Sequence, residues 1–275
     1  MSILQALLLG LVQGATEFIP VSSSGHLVLV PWLLGWPSPS LAFDTVVHWG
    51  TLVAVMVYFW RAWRALLTAW VRGLVRWDWR DPMARLAWLL VVGTLPAAVI
   101  GYFLEDWFES LFSEPMWVSL FLLATACILV LSEWLGTRSI AEGGARHIDS
   151  LRWPHALFIG LGQAAAIAPG ISRSGTTMAL GLSGGLHRSA AATFSFLLSA
   201  PIILGAGLVQ LVKLSSEPDA LAQVPLLVAG FLVAAITGYL SIWSLLRYLQ
   251  RGRLYPFAVY CAGFGIFCLA VALLR

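Results

Sequence analysis

A chain of 275 residues that is 60% hydrophobic and only 11% charged is too apolar to be a soluble domain of its size, and it reads as a polytopic membrane protein. The formal charge of +3 excludes little as a total, because the placement of the charges carries the information; no nucleic-acid partner is expected. Cys127, Cys261 and Cys268 stand singly in apolar runs without metal-ligand or C-x-x-C spacing, so they are expected to be packing thiols rather than a disulfide framework.

No Lys or Arg precedes Arg61, so the basic start of a cleavable signal peptide is missing and the first segment is expected to belong to the mature structure. That segment, LLLGLVQGATEFIPVSSSG over 7–25, is apolar but broken by Pro20, Gly25 and a run of hydroxyls. Non-helical backbone at membrane depth survives only when buried in protein or lining a wet cavity, which predicts a re-entrant helical hairpin at about 2–27. Apolar runs long enough to cross about 30 Å of hydrocarbon follow near 42–60, 86–104 and 116–134. A second broken segment, LFIGLGQAAAIAPGISRSG over 157–175, predicts another hairpin at about 154–178. Three more spans follow near 188–212, 225–246 and 255–274. The expected fold is all-α and integral to the membrane, with six transmembrane helices and two re-entrant hairpins in one domain.

The two broken segments align without a gap and share 8 of 19 positions, among them the Gln13/Gln163 pair and the Ser-x-Ser-Gly ending. Leu90, Val91, Gly93, Ala97, Ala98, Gly101 and Tyr102 likewise match Leu227, Val228, Gly230, Ala234, Ala235, Gly238 and Tyr239. Two repeats are therefore expected, over 1–136 and 154–275, and three spans per repeat invert the second against the first. Paired, Pro/Gly-interrupted segments of this kind point to a binding site between repeats. Arg61, Arg64, Arg72, Arg76, Arg80 and Arg85 fall between spans 1 and 2, Arg138, Arg146 and Arg152 after span 3, and Arg247, Arg251 and Arg253 between spans 5 and 6. The positive-inside rule makes that side cytoplasmic. Glu105, Asp106, Glu109 and Glu114, and Lys213, Glu217 and Asp219, then belong outside.

Glu17 is an ionisable group inside an apolar hairpin, which costs about 2.5–3.5 kcal/mol on insertion scales and marks a functional candidate. Gln13 stands one helical turn earlier on the same face, so both can present oxygens to one ligand or cation. Ser22, Ser23, Ser24 and His26 follow Pro20. The second hairpin supplies Ser172, Arg173, Ser174, Thr176 and Thr177; Arg173 is the only Arg or Lys in either hairpin, and its fork of donors matches phosphate. Together these groups suit a phosphate ester or anhydride. Asp44, His48 and His187 lie near span ends, where an interfacial reading is favoured; Asp44 is the most interesting, because span 1 directly follows the first hairpin. The fourteen Trp residues are expected in interfacial belts and lipid-facing packing.

Gln13-x-x-x-Glu17, Pro20-Val21-Ser22-Ser23-Ser24-Gly25-His26 and Pro169-Gly170-Ile171-Ser172-Arg173-Ser174-Gly175-Thr176-Thr177 resemble the two signatures of the undecaprenyl-diphosphate phosphatase family known for bacitracin resistance. The resemblance covers essentially the whole chain. It implies an inner-membrane enzyme, open toward the periplasm, that removes the terminal phosphate of a C55 isoprenoid diphosphate to regenerate the carrier lipid of peptidoglycan synthesis. Catalytic roles pass to Glu17, Ser23, His26 and Arg173, and substrate contacts to Gln13, Ser22, Ser24, Ser172, Ser174, Thr176 and Thr177. Mg²⁺ or Ca²⁺ is expected on Glu17 and Gln13. The partners are the polyprenyl diphosphate and bilayer lipid, with a homodimer as a further arrangement. Gln13 stands where some members carry Glu, leaving one fewer carboxylate for a metal, and His48 where some carry Gln. The Lys-x6-Arg-Pro and Ser-Arg-x5-His motifs of type 2 phosphatidic acid phosphatases are absent, as is a nucleotide-binding P-loop. The nucleophile stays open among Ser23, His26 and water, and a lipid-phosphate flippase or secondary transporter is the rival reading.

Overall fold

The computed structural model describes residues 1–76, 81–214 and 220–275, and among these the chain is helical, with no strand beyond one isolated bridge between Arg146 and Leu186. Arg80, Glu217 and Asp219, assigned above to loops, lie outside the described residues.

The first two helices, α1 (Ile3–Phe18) and α2 (Ser23–Leu34), form a hairpin. Ser2 starts α1 with a capping box to Gln5, and Gly35 ends α2 at φ 66°, a left-handed stop that glycine adopts freely. The second arm therefore runs past residue 27; the helix continues through Pro31 and stops at Gly35. At 1.5 Å per residue the arms are about 24 and 18 Å long, too short to cross a bilayer. Next come α3 (Leu41–Tyr58), α4 (Trp60–Arg76), α5 (Pro82–Phe103), α6 (Glu105–Phe112) and α7 (Pro115–Gly143). A second hairpin of α8 (Trp153–Ala165) and α9 (Arg173–Ser183) precedes α10 (Arg188–Leu214), α11 (Ala220–Tyr248) and α12 (Tyr255–Leu274).

Helices α3, α5, α7, α10, α11 and α12 each hold a stretch long and apolar enough to span, and they coincide with the six predicted spans. The protein is an all-α integral membrane protein. Two charged connections differ from simple loops. The arginine-rich stretch after span 1 is the helix α4, with Leu66, Ala69 and Gly73 buried along one side and its arginines on the other, the signature of a helix lying along an apolar surface. The acidic stretch after span 2 contains the short helix α6.

Lipid gives apolar helices little reason to associate, so close packing of small residues has to hold them. Gly10 of α1 lies on Gly230 of α11, where an added Cβ would come within 2.6 Å of the Gly230 carbonyl oxygen. Gly160 of α8 lies on Gly93 of α5 in the same way, at 2.5 Å. The first arm of each hairpin thus packs on the middle span of the other half, through residues that align between the halves. Phe18 and Phe196, edge to face at 5.2 Å, join α1 to α10 in the core. The three cysteines are free; Cys261 and Cys268 are buried, whereas Cys127 is exposed on α7.

Away from the hairpins, fully buried Glu133 of α7 takes Nε and Nη2 of Arg188 at 2.8 and 2.5 Å and accepts the Leu254 backbone N–H at 2.6 Å. One carboxylate thereby fastens α7, the start of α10 and the start of α12. Glu133→Ala leaves the Arg188 charge and a backbone donor without their partner, and a loss of about 3 kcal/mol is expected. A thermal melt of the detergent-solubilised variant against the parent measures it; an unchanged midpoint would show that the pair holds nothing.

Candidate active site

The turn of the first hairpin is built on Ser22, the one non-glycine with positive φ among the described residues (φ 69°, ψ 93°). Its side chain accepts the Gly25 N–H at 3.3 Å, and its carbonyl accepts both the backbone N–H of His26 at 3.2 Å and the His26 ring at Nδ1, 2.7 Å away. The carbonyl has no proton to give, so Nδ1 carries one and Nε2 is left to accept, which it does from the Tyr260 hydroxyl at 2.7 Å. The His26 ring also stacks on Phe264 and Tyr260 of α12. Both ring nitrogens are therefore committed to holding the turn. Its geometry brings the Ser23 hydroxyl to Glu17, donating to Oε2 at 2.5 Å. Gln13 donates to the same oxygen through Nε2 at 3.0 Å, so the i, i+4 relation read from the sequence is realised.

The second turn is clamped by α7. Thr125 donates to the Gly170 carbonyl at 2.9 Å and accepts the Ser172 N–H at 3.0 Å. Gly170 sits at φ 101° with no room for a side chain against the Val118 carbonyl, so glycine is required there. Ser172 then caps α9 by accepting the Gly175 N–H at 3.0 Å, which launches Arg173 on the first turn. Arg173 forms a short ion pair with Glu17 Oε1 and donates through Nη1 to the Ser195 carbonyl at 3.3 Å. The two turns touch: Gly25 faces Gly170, and Ser174 donates to the Ile19 carbonyl at 3.3 Å.

A cavity of roughly 290 Å³ opens where the turns meet. Glu17, Ser22, Ser23, Ser24, Ser172, Arg173 and Ser174 line it, which places seven of the sequence-predicted residues around one space. The remaining four do not line it. Gln13 is fully buried behind Glu17, and His26 faces α12. Thr177 pairs with Ser195 of α10 at 2.6 Å, and Thr176 is buried with no partner for its hydroxyl. Two further ionisable residues complete the wall: Asp44 and His48, one turn apart on α3, with His48 Nε2 3.8 Å from Glu17 Oε2. Their spacing on a span that directly follows the hairpin was the signal, and proximity to a span end masked it. Trp49 also lines the cavity instead of a lipid belt, whereas Trp60, Trp107, Trp134 and Trp243 are exposed on the surface. Leu41, Ile167, Ile202 and Ile203 make the rest of the wall apolar.

The arrangement combines a hydroxyl hydrogen-bonded to a carboxylate, a guanidinium, and the first turns of two helices, α2 and α9, whose free N–H groups favour an anion. Among the described residues no group of three or more His, Cys, Asp and Glu side chains forms a ready metal centre. The carboxylates on the cavity wall are Glu17 and Asp44, whereas Gln13 turns its Nε2 to Glu17 and keeps its unpartnered Oε1 buried behind it. That set fits a hard divalent cation that shares its shell with an anionic ligand, not a zinc site closed by protein ligands.

The chain matches the family described as bacitracin resistance protein BacA over residues 6–267. It is 45% identical over 271 residues to an undecaprenyl-diphosphatase of Desulforudis audaxviator, covering 98% of each chain. It is 43% identical over 281 residues to an undecaprenyl-diphosphatase of Thermomicrobium roseum, covering 98% of each. To one of Rubrobacter xylanophilus it is 46% identical over 278 residues, covering 100% of this chain and 99% of the other.

Proposed function

The chain belongs to the bacitracin resistance protein BacA family, and on that premise we infer that it hydrolyses the terminal phosphate of undecaprenyl diphosphate and regenerates the monophosphate carrier lipid. It is a membrane phosphatase. The observation that carries the chemistry is the Ser23–Glu17–Arg173 array, in which nucleophile, proton acceptor and phosphate-binding cation come from two hairpin turns that meet in one cavity.

Arg173 and the N–H groups opening α2 and α9 hold the diphosphate oxygens. Such positioning and charge neutralisation dominate phosphoryl transfer. Glu17 takes the Ser23 proton as Ser23 Oγ attacks the terminal phosphorus and the bond to the prenyl phosphate breaks; water then cleaves the Oγ–P bond, Oγ regains its proton from Glu17, and inorganic phosphate leaves. His26 is better suited to positioning than to attack, since its two nitrogens are engaged by Ser22 and Tyr260. Ser22, Ser24, Ser172 and Ser174 face the headgroup, and Thr176 and Thr177 support the second turn from behind. Mg²⁺ or Ca²⁺ held by Glu17, with Gln13 as a neutral ligand once its amide turns Oε1 in place of Nε2 toward the carboxylate, would supply further charge neutralisation when bound. The apolar part of the wall lets the prenyl tail stay in lipid while the headgroup enters the polar end.

Orientation follows from charge. The site lies toward the start of α3 and the far end of α10, whereas Arg61, Arg64 and Arg188 lie at the opposite ends of those spans. With the arginines cytoplasmic, the two hairpins enter as an inverted pair and the cavity opens to the periplasmic face of the inner membrane. Ser23→Ala is expected to reduce phosphate release to background while lipid diphosphate still binds, as measured by release and by displacement of a labelled analogue. Parental turnover in that variant would pass the nucleophile to water.

A further inference from the structure

We propose that the base of the second hairpin carries a binding site for an anionic phospholipid whose headgroup bears hydroxyls, as a phosphatidylglycerol does. A cavity of roughly 150 Å³ lies there, between the start of α8, the end of α9 and the segment that joins α7 to α8. The 13 residues of α8 put it about 20 Å from the hairpin turn, so it is separate from the site of Glu17 and Arg173. It lies on the arginine-rich side of the molecule, where Arg188 begins α10.

Arg146 and His155 make the donating part of the wall. The Arg146 backbone donates to the Gly185 carbonyl at 2.9 Å and accepts the His187 N–H at 3.0 Å, which lays its side chain over Gly185. A Cβ added at Gly185 would stand 3.7 Å from Arg146 Cδ and 3.8 Å from Nε, so the stem is seated on the end of the hairpin. The guanidinium itself makes no ion pair or hydrogen bond to any of the described residues, which leaves its fork for a phosphate. His155 accepts the Arg152 backbone N–H at Nδ1, 3.2 Å away, so the ring carries its hydrogen on Nε2 and donates from there. Ser150 and Ser183 give their hydroxyl protons to the His147 and Ala179 carbonyls at 2.7 and 2.9 Å, and so offer a ligand only lone pairs. No carboxylate lines the cavity among the described residues; Asp149, beside Ser150, is exposed outside it. Donors for a phosphodiester thus stand beside acceptors for the hydroxyls of its headgroup.

The surface next to the cavity points to a lipid as the source of that phosphate. Phe158 lines the cavity and is also exposed on the outer face of α8. Trp153, Leu157 and Leu161, four residues apart, continue the exposed apolar stripe on the same face. Acyl chains can lie along this stripe while the headgroup enters between Arg146 and His155, with Trp153 at the level where indoles meet headgroups. Basic pockets between helices on the positively charged side of a membrane protein recognise anionic headgroups in this way. A lipid bound there ties the segment between α7 and α8 to the end of α9, the helix that carries Arg173 at its start.

The test is a thermal melt of the full-length protein in detergent micelles that contain a phosphatidylglycerol, a phosphatidylcholine with the same chains, or no lipid but inorganic phosphate. The parent is compared with Arg146→Gln, with the double variant Arg146→Gln/His155→Phe, and with Arg72→Gln, which removes one exposed charge from α4 instead. Phosphatidylglycerol is expected to raise the midpoint about 5 °C above phosphatidylcholine in the parent and in Arg72→Gln. The shift is expected to shrink in Arg146→Gln and to vanish in the double variant, and inorganic phosphate is expected to give none. Native mass spectrometry of the parent needs no variant: one phosphatidylglycerol should stay bound under activation that strips phosphatidylcholine. Equal shifts or equal retention for the two lipids, a parental shift in the double variant, or an equal loss in Arg72→Gln would overturn the site. A matching shift from inorganic phosphate would overturn the lipid assignment in favour of a free anion.

Discussion

Replacing Glu17 by Gln is expected to lower kcat for phosphate release about a thousandfold, with a smaller change in KM. The amide keeps the shape of the side chain and can still meet Ser23, but it cannot accept the hydroxyl proton and brings no charge to Arg173. Gln is a cleaner choice than Ala, which would also leave a cavity beside a buried guanidinium. Steady-state kinetics and a melting curve on the same preparation separate chemistry from folding. A folded Glu17→Gln protein with parental kcat would take Glu17 out of proton transfer.

Arg173→Lys is expected to lower kcat/KM about a hundredfold although the charge is kept. The guanidinium reaches Glu17 with one nitrogen and the Ser195 carbonyl with another, so its fork is held in place by α1 and α10 at once. An ammonium on a flexible stem has no such geometry and can satisfy one partner only while it also contacts phosphate. Measuring KM and kcat separately shows whether binding or turnover suffers, and near-parental values for both would contradict the clamp.

Much of this architecture was legible because membranes make polar residues conspicuous. Glu17, Arg173 and the serine turns stand out against apolar surroundings, and the cavity gathers them. The six spans were equally plain from the lengths of their apolar runs. What escaped has physical reasons. The contact of His26 with Tyr260 joins residues 234 positions apart, and no local pattern reports it. Asp44 and His48 are one turn apart on α3, but their place near a span end suits an interfacial residue as well as an active one. The arginines after span 1 resemble a loop by composition, whereas their spacing lets α4 bury Leu66, Ala69 and Gly73 together. Glu133 was hidden inside an apolar run whose partner, Arg188, begins a different span.

Release of inorganic phosphate from C55 prenyl diphosphate by the detergent-purified protein, alongside Glu17→Ala and with and without EDTA, tests the central claim most directly, because detergent leaves no gradient to drive transport. Steady release by the parent, lost in Glu17→Ala and on chelation, and restored by Mg²⁺ or Ca²⁺, is the expected result. A folded parent protein that binds the lipid diphosphate yet releases no phosphate with either cation would contradict the account and leave the hairpins as a lipid-phosphate transport gate.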